Sequence, residues 1–135
     1  MEGPTGSGKT YLSANIANKL KPNIIKYLDS QCLQKYNDYD RATHIQTTIN
    51  DLQKFTLGVL IIDDVENVIN WSNKMYSNYL LLIIKSLPKY IFNDNKIILI
   101  VNTSRYSELN DLTMFDKFNH KFSLNTNIKS NSNLN

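Results

Sequence analysis

Gly3-Pro4-Thr5-Gly6-Ser7-Gly8-Lys9-Thr10 decides the fold. It completes the pattern Gly-x-x-x-x-Gly-Lys-Thr, a P-loop, in which the chain turns into a helix around a phosphate group. Gly6 and Gly8 allow backbone conformations closed to other residues, so successive N–H groups can turn inward. The helix that follows adds its positive end. Lys9 is a point charge for the outer phosphates, and the Thr10 hydroxyl suits a magnesium ion. The run therefore predicts binding of ATP with Mg2+ through Gly3, Pro4, Thr5, Gly6, Ser7, Gly8, Lys9, Thr10 and the adjoining Tyr11. The competing reading is a glycine-rich turn with no ligand.

Downstream, the pattern alternates as a P-loop fold requires. A helix is expected from about Lys9 to Leu20, then a strand over Asn23 to Leu28, bounded by Pro22 and Asp29. Ser30 to Asp40 reads as a loop. Arg41 to Phe55 carries Ala42, Ile45, Ile49 and Leu52 at helical spacing. Gly58 to Asp63 is an apolar run ending in acids, the mark of a strand buried on both faces of a parallel sheet. A helix from Met75 to Leu87 should stop at Pro88. Lys96 to Asn102 repeats the buried-strand pattern, and a short helix over Asp111 to Phe118 and a strand over Lys121 to Leu124 complete the order. Alternating strands and helices imply an α/β fold, a parallel sheet flanked by helices. Residues 1–124 form the expected core, and 125–135, rich in Asn and Ser, an expected flexible or truncated tail.

Val59-Leu60-Ile61-Ile62-Asp63-Asp64 is the second chemical motif and resembles a Walker B strand. Its acids lie where open α/β sheets bind ligands, at the carboxyl edge. Asp63 would hold magnesium opposite Thr10. A solvated strand end is the alternative. Glu66 reads as a helix-start or surface charge. A polar sensor of the outer phosphate is expected after the next strand, with Ser104 the first candidate and Asn102 the second.

Composition narrows the class. The chain has 135 residues, the size of one domain, with 15 Lys and Arg against 12 Asp and Glu, a formal charge of +3. The basic residues are scattered, so no nucleic-acid partner is expected. Arg41 and Arg105 are the only arginines, although arginine is the usual stabiliser of a transferring phosphate. One cysteine, Cys32, excludes an internal disulfide. The longest apolar run, Tyr79 to Ile84, is far short of the roughly 20 residues that span a bilayer. With no apolar leader after Met1, a cytoplasmic protein without direct membrane insertion is expected. His44 and His120 lack partners at ligand spacing, and Trp71, Tyr76 and Tyr79 read as core or subunit contacts.

Taken together, Glu2-Gly3-Pro4 with Ser7-Gly8-Lys9-Thr10, Ile61-Ile62-Asp63-Asp64-Val65-Glu66 and Thr103-Ser104-Arg105 resemble one family. They are similar to the second ATPase domain of the N-ethylmaleimide-sensitive factor family, the vesicle-fusing ATPases of AAA+ type. The paired aspartates and Thr-Ser-Arg are the discriminating marks, and the resemblance runs from Met1 to about Ile128. It implies an assembly module that binds Mg-ATP tightly, hydrolyses it slowly and joins six subunits into a homo-hexamer. Other domains of such proteins take SNARE complexes apart through a SNAP-type adaptor, at vesicle, Golgi and endoplasmic reticulum membranes. The resemblance assigns catalytic roles to Asp64 and Ser104, a nucleotide contact to Asp63 and metal ligation to Thr10 and Asp63, while Asn102 is a nucleotide contact by its position at the strand end.

Asp64 stands where hydrolysing AAA+ domains carry a glutamate that orients water, and it is one methylene shorter. A misplacement of about 1 Å can cost roughly 100-fold in rate. No arginine follows Arg105, where arginine fingers would stand; Lys117, His120 and Lys121 are the basic residues before the tail. Relative to the family, the strand feeding the P-loop is reduced to Met1-Glu2 and a helical lid is lacking, which implies a fragment. An actively hydrolysing remodeller or nucleic-acid motor, an inert fragment and a small-molecule kinase are the alternatives.

Overall fold

Gly58–Ile62 is buried at every position and forms the middle strand of a three-stranded parallel sheet. The computed structural model describes residues 1–94 and 97–125. In chain order the elements are α1 (Lys9–Lys19), β1 (Ile24–Leu28), α2 (Ser30–Leu33), α3 (Asp38–Leu52), β2 (Gly58–Ile62), α4 (Val65–Val68), α5 (Asn78–Asp94), β3 (Ile97–Val101) and α6 (Tyr106–Asp111). The sheet order is β1-β2-β3, with Ile24 opposite Gly58 opposite Ile97, through to Leu28, Ile62 and Val101. Because side chains alternate along a strand, β2 feeds two cores. Leu60 and Ile62 pack with residues of α3 and α5, while Val59 and Ile61 pack with Ala17 of α1. That double burial is why the strand reads as an unbroken apolar run.

At the carboxyl edge the pairing extends beyond the strands. Glu2 makes parallel bridges to both Thr103 and Ser123, so the start of the chain lies between two segments remote in sequence. Its N–H donates to the carbonyl of Phe122, and Leu124 N–H donates to the Glu2 carbonyl, each at 2.8 Å. A Cβ on Gly3 would meet the Leu124 carbonyl oxygen at 2.6 Å, so that packing excludes any larger residue there.

A single guanidinium ties the helices on the far side of the sheet. Arg41 is 7% exposed. Its Nε donates to the carbonyls of Leu33 and Tyr36 at 3.0 and 3.2 Å, and its Nη1 to the Val68 carbonyl and Asn70 Oδ1 at 3.1 and 2.7 Å. The ends of α2 and α4 are thereby capped from α3, since a helix leaves its last carbonyls without internal partners.

Local signals were outweighed in three places. The expected loop at Ser30 to Asp40 holds α2, capped by Asp29 Oδ1 accepting from Cys32 N–H, and the start of α3, capped by Asn37 Oδ1 accepting from Asp40 N–H. Helix α5 does not stop at Pro88 but continues to Asp94. A proline inside a helix sacrifices one hydrogen bond, and here burial of Leu80, Leu81, Ile84, Leu87 and Pro88 itself offsets that loss. The short helix forms at Tyr106–Asp111, ahead of the expected Asp111 to Phe118, which is mostly turn. The segment over Lys121 to Leu124 contributes only the bridge at Ser123. Most of the tail expected over 125–135 lies outside the described residues. No helix among the described residues is long and apolar enough to cross a membrane.

Candidate functional site

Three segments converge at the carboxyl edge of the sheet: the loop before α1, the exit of β2 and the exit of β3. In the loop, Gly6 and Gly8 have φ of 81° and 89°, in the left-handed region that side chains other than glycine's adopt only with strain. Gly8 is the residue from which α1 starts. The Lys9 side chain is buried, and its ammonium donates to the carbonyls of Gly3 and Pro4 at 2.8 and 3.0 Å. The Ser7 hydroxyl oxygen is buried with no hydrogen-bond partner among the described residues. Pro4, Thr5, Thr10 and Tyr11 are exposed.

Asp63 is the meeting point of the second and third segments with the first. Its Oδ2 accepts from the Thr10 hydroxyl at 2.6 Å, and its Oδ1 accepts from Asn102 Nδ2 at 3.1 Å. Asn102 is fully buried, and its Oδ1 accepts from the Ser13 hydroxyl at 2.9 Å. The chain Ser13–Asn102–Asp63–Thr10 thus closes from α1 through β3 and β2 back to α1. Ser13 was not singled out in the sequence, although it lies four residues after Lys9 and so on the same helix face.

The two sensor candidates part company. Asn102 contacts Asp63, whereas Ser104 donates its hydroxyl to Glu66 Oε1 at 2.7 Å. Glu66 is neither exposed nor a bare helix-start charge: it is 6% exposed and also accepts from Thr103 Oγ1 at 2.8 Å and Ser104 N–H at 3.1 Å. Its donors lie 37 and 38 positions downstream, so no local pattern announces them. Among the described residues the Arg105 side chain reaches only Glu108, on the surface. Trp71 and Tyr76 stack on each other, and His44 stacks on Tyr36.

Asp64 sits beside this network with φ 48° and ψ 60°, a left-handed residue preceding α4 whose side chain caps nothing. Burial, then the neighbouring charges of Asp63 and Glu66, raise its carboxyl pKa above the ordinary value. A folded-state pKa above the unfolded one means that the ionised form is disfavoured in the folded chain. That penalty is absent below the unfolded pKa, about 3.9, and is complete above the raised value. Asp64→Asn removes the charge, and asparagine tolerates the left-handed backbone. Its melting temperature should therefore match the parent at about pH 4 and rise above it as the pH approaches neutrality, as thermal unfolding across that range will report.

Comparison with known proteins agrees with this geometry. Residues 1–126 match the family described as ATPase family associated with various cellular activities (AAA). The chain is 28% identical over 127 residues to the vesicular-fusion protein SEC18 of Saccharomyces cerevisiae, covering 92% of this chain and 17% of that protein. Against the vesicular-fusion protein SEC18 of Candida albicans it is 28% identical over 124 residues, 87% of this chain and 15% of that one. Against the vesicle-fusing ATPase of Arabidopsis thaliana it is 25% identical over 132 residues, 93% of this chain and 17% of that protein. The chain spans less than a fifth of the length of these relatives. With a P-loop, a parallel sheet and an acid-tipped central strand under a match that covers nearly all of it, this chain belongs to the AAA ATPase family.

Proposed function

We propose that the chain is a Mg-ATP-binding module of the vesicle-fusing type, in which ATP serves more as a ligand that joins subunits than as fuel. The observation that carries the reading is the Thr10–Asp63 contact behind the glycine loop. It sets a hydroxyl and a carboxylate oxygen 2.6 Å apart beside a buried lysine, a donor set that fits a magnesium-bound triphosphate. The unpartnered Ser7 hydroxyl supports the fit, because a buried polar group without a partner is costly and a phosphate oxygen would satisfy it.

In this reading the backbone from Gly3 to Gly8 surrounds the phosphates, with Pro4, Thr5 and Tyr11 at the exposed rim. Lys9 exchanges its loop carbonyls for the outer phosphates. Thr10 and Asp63 would hold the magnesium ion, which would supply charge neutralisation to the phosphate oxygens. Asn102 steadies Asp63 and through it would bear on the outer phosphate. Asp64 would orient the attacking water, at a reach one methylene short of glutamate, and this supports slow hydrolysis. Ser104 contributes through Glu66. The AAA core spans 1–124.

Titration with a fluorescent ATP analogue tests the reading. Saturable binding to the parent should weaken by at least about 30-fold in Lys9→Ala, since charge-assisted hydrogen bonds are worth about 1.5–3 kcal/mol each. Binding indifferent to that substitution, or none at all, would count against it. Phosphate release at about 1 per second or faster would point to an actively hydrolysing remodeller.

Membership of a homo-hexamer, action on SNARE complexes through a SNAP-type adaptor by other domains, and a cytoplasmic place at vesicle, Golgi and endoplasmic reticulum membranes are part of this proposal, and likeness to the vesicle-fusing ATPases supports them. Native mass spectrometry of the longer protein showing one assembly state with and without nucleotide would contradict the subunit-joining role.

A further inference from the structure

We infer that Glu66 is a positioning residue for the magnesium side of this site, a role that rests on the nucleotide reading. Its carboxylate is almost fully buried and meets no lysine or arginine among the described residues. Burial of an ionised carboxylate costs several kcal/mol unless hydrogen bonds replace water. Three donors do so: Thr103 Oγ1 to Oε2, and Ser104 Oγ and Ser104 N–H to Oε1. All three come from the turn after β3, so the charge laces α4 to that turn.

The lacing has a direction. One residue earlier in each segment, Val65 N–H donates to the Asn102 carbonyl at 3.1 Å. Earlier still, Asn102 Nδ2 donates to Asp63. Residues 63–66 and 102–104 are therefore joined at successive points, with the left-handed Asp64 between them. Helix α4 has only four residues and no side-chain cap at its N-terminal end, so the path of its first turn is set by contacts from outside the helix. The Asn102 amide must keep its nitrogen toward Asp63, and the turn that carries it is held by Glu66. Glu66 acts on the cation through Asn102 and Asp63 without touching either the cation or the nucleotide.

The test separates magnesium from nucleotide. A fluorescent ATP analogue is titrated onto the parent, Glu66→Ala and Glu66→Gln with a chelator present, and again across a magnesium series. Outer-layer partners of a metal ligand typically contribute 10–100-fold to metal affinity. Glu66→Ala should therefore raise the magnesium concentration at half-effect by about tenfold or more, with magnesium-free affinity unchanged. Glu66→Gln keeps an acceptor for Ser104 and should stay close to the parent.

Three results overturn the inference: an unshifted magnesium midpoint in Glu66→Ala, an equal loss with and without magnesium, or a glutamine variant as impaired as alanine. Should Glu66→Ala melt below the assay temperature, Thr103→Val removes one donor while keeping shape. A magnesium midpoint that moves in that variant sustains the inference, and one that does not overturns it. Failure of the parent to bind in a Lys9-dependent way would remove the nucleotide reading and this role together. Normal parent binding with an unmoved midpoint removes this role alone.

Discussion

Arg41→Ala is expected to destabilise the chain by about 3–5 kcal/mol, the range of a broken buried polar network. The guanidinium supplies the donors for the Leu33, Tyr36 and Val68 carbonyls and for Asn70 Oδ1, joining α3 to the ends of α2 and α4. Each acceptor left buried without a donor costs about 1–3 kcal/mol, partly recovered where water enters. Small domains are stable by only about 5–15 kcal/mol, so one substitution removes a large share. Arg41→Lys should recover little, because one ammonium cannot serve Nε and Nη1 partners that lie in different directions. Urea unfolding provides the measurement. The midpoint should fall sharply with an unchanged slope, whereas a loss under about 1 kcal/mol would mean that water caps these carbonyls adequately.

Asp63→Ala is expected to have the largest effect on ligand binding, and its sign should depend on magnesium. With the ion present, the substitution deletes one proposed ligand and releases Asn102 and Thr10 from their shared partner. The gain in nucleotide affinity that magnesium gives the parent should largely vanish, a loss of about 100-fold, at the upper end for perturbation of a metal site. Without magnesium, a carboxylate beside a triphosphate is only repulsive, and its removal should leave affinity equal or improved. Calorimetric titration with ATP in chelator and in excess magnesium reads both arms. Equal loss in the two would show that Asp63 maintains structure rather than a cation.

The middle strand was legible in the sequence because burial on both faces leaves an uninterrupted apolar signature at Gly58–Ile62; Ile97–Val101 carries the same signature, although its three middle residues are only half-buried. The loop residues were legible because glycine spacing with Lys9 and Thr10 is a local pattern. What local patterns could not convey were distances closed by tertiary structure. Asn102 and Ser104 stand two positions apart, and only the path of the turn decides that one meets Asp63 and the other Glu66. Glu66 looks like any acid in a first helical turn until Thr103 and Ser104 arrive beside it. Pro88 is a helix breaker by propensity, yet α5 passes through it because the face around Leu87 is already anchored in the core.

The clasp of Glu2 between Thr103 and Ser123 carries a consequence for the order of events during synthesis. The sheet of β1, β2 and β3 is complete in pairing once residue 101 is available, and α1 can already lie on it. The backbone just before the glycine loop, however, gains one of its two neighbours only when Phe122 to Leu124 arrives, and a chain that ends earlier leaves Gly3 without the carbonyl against which it packs. Contacts closed over so long a separation form late, because the entropy of loop closure must be met first. Competence to retain a ligand should thus switch on abruptly once Phe122 to Leu124 has joined the fold, after most of this core has formed.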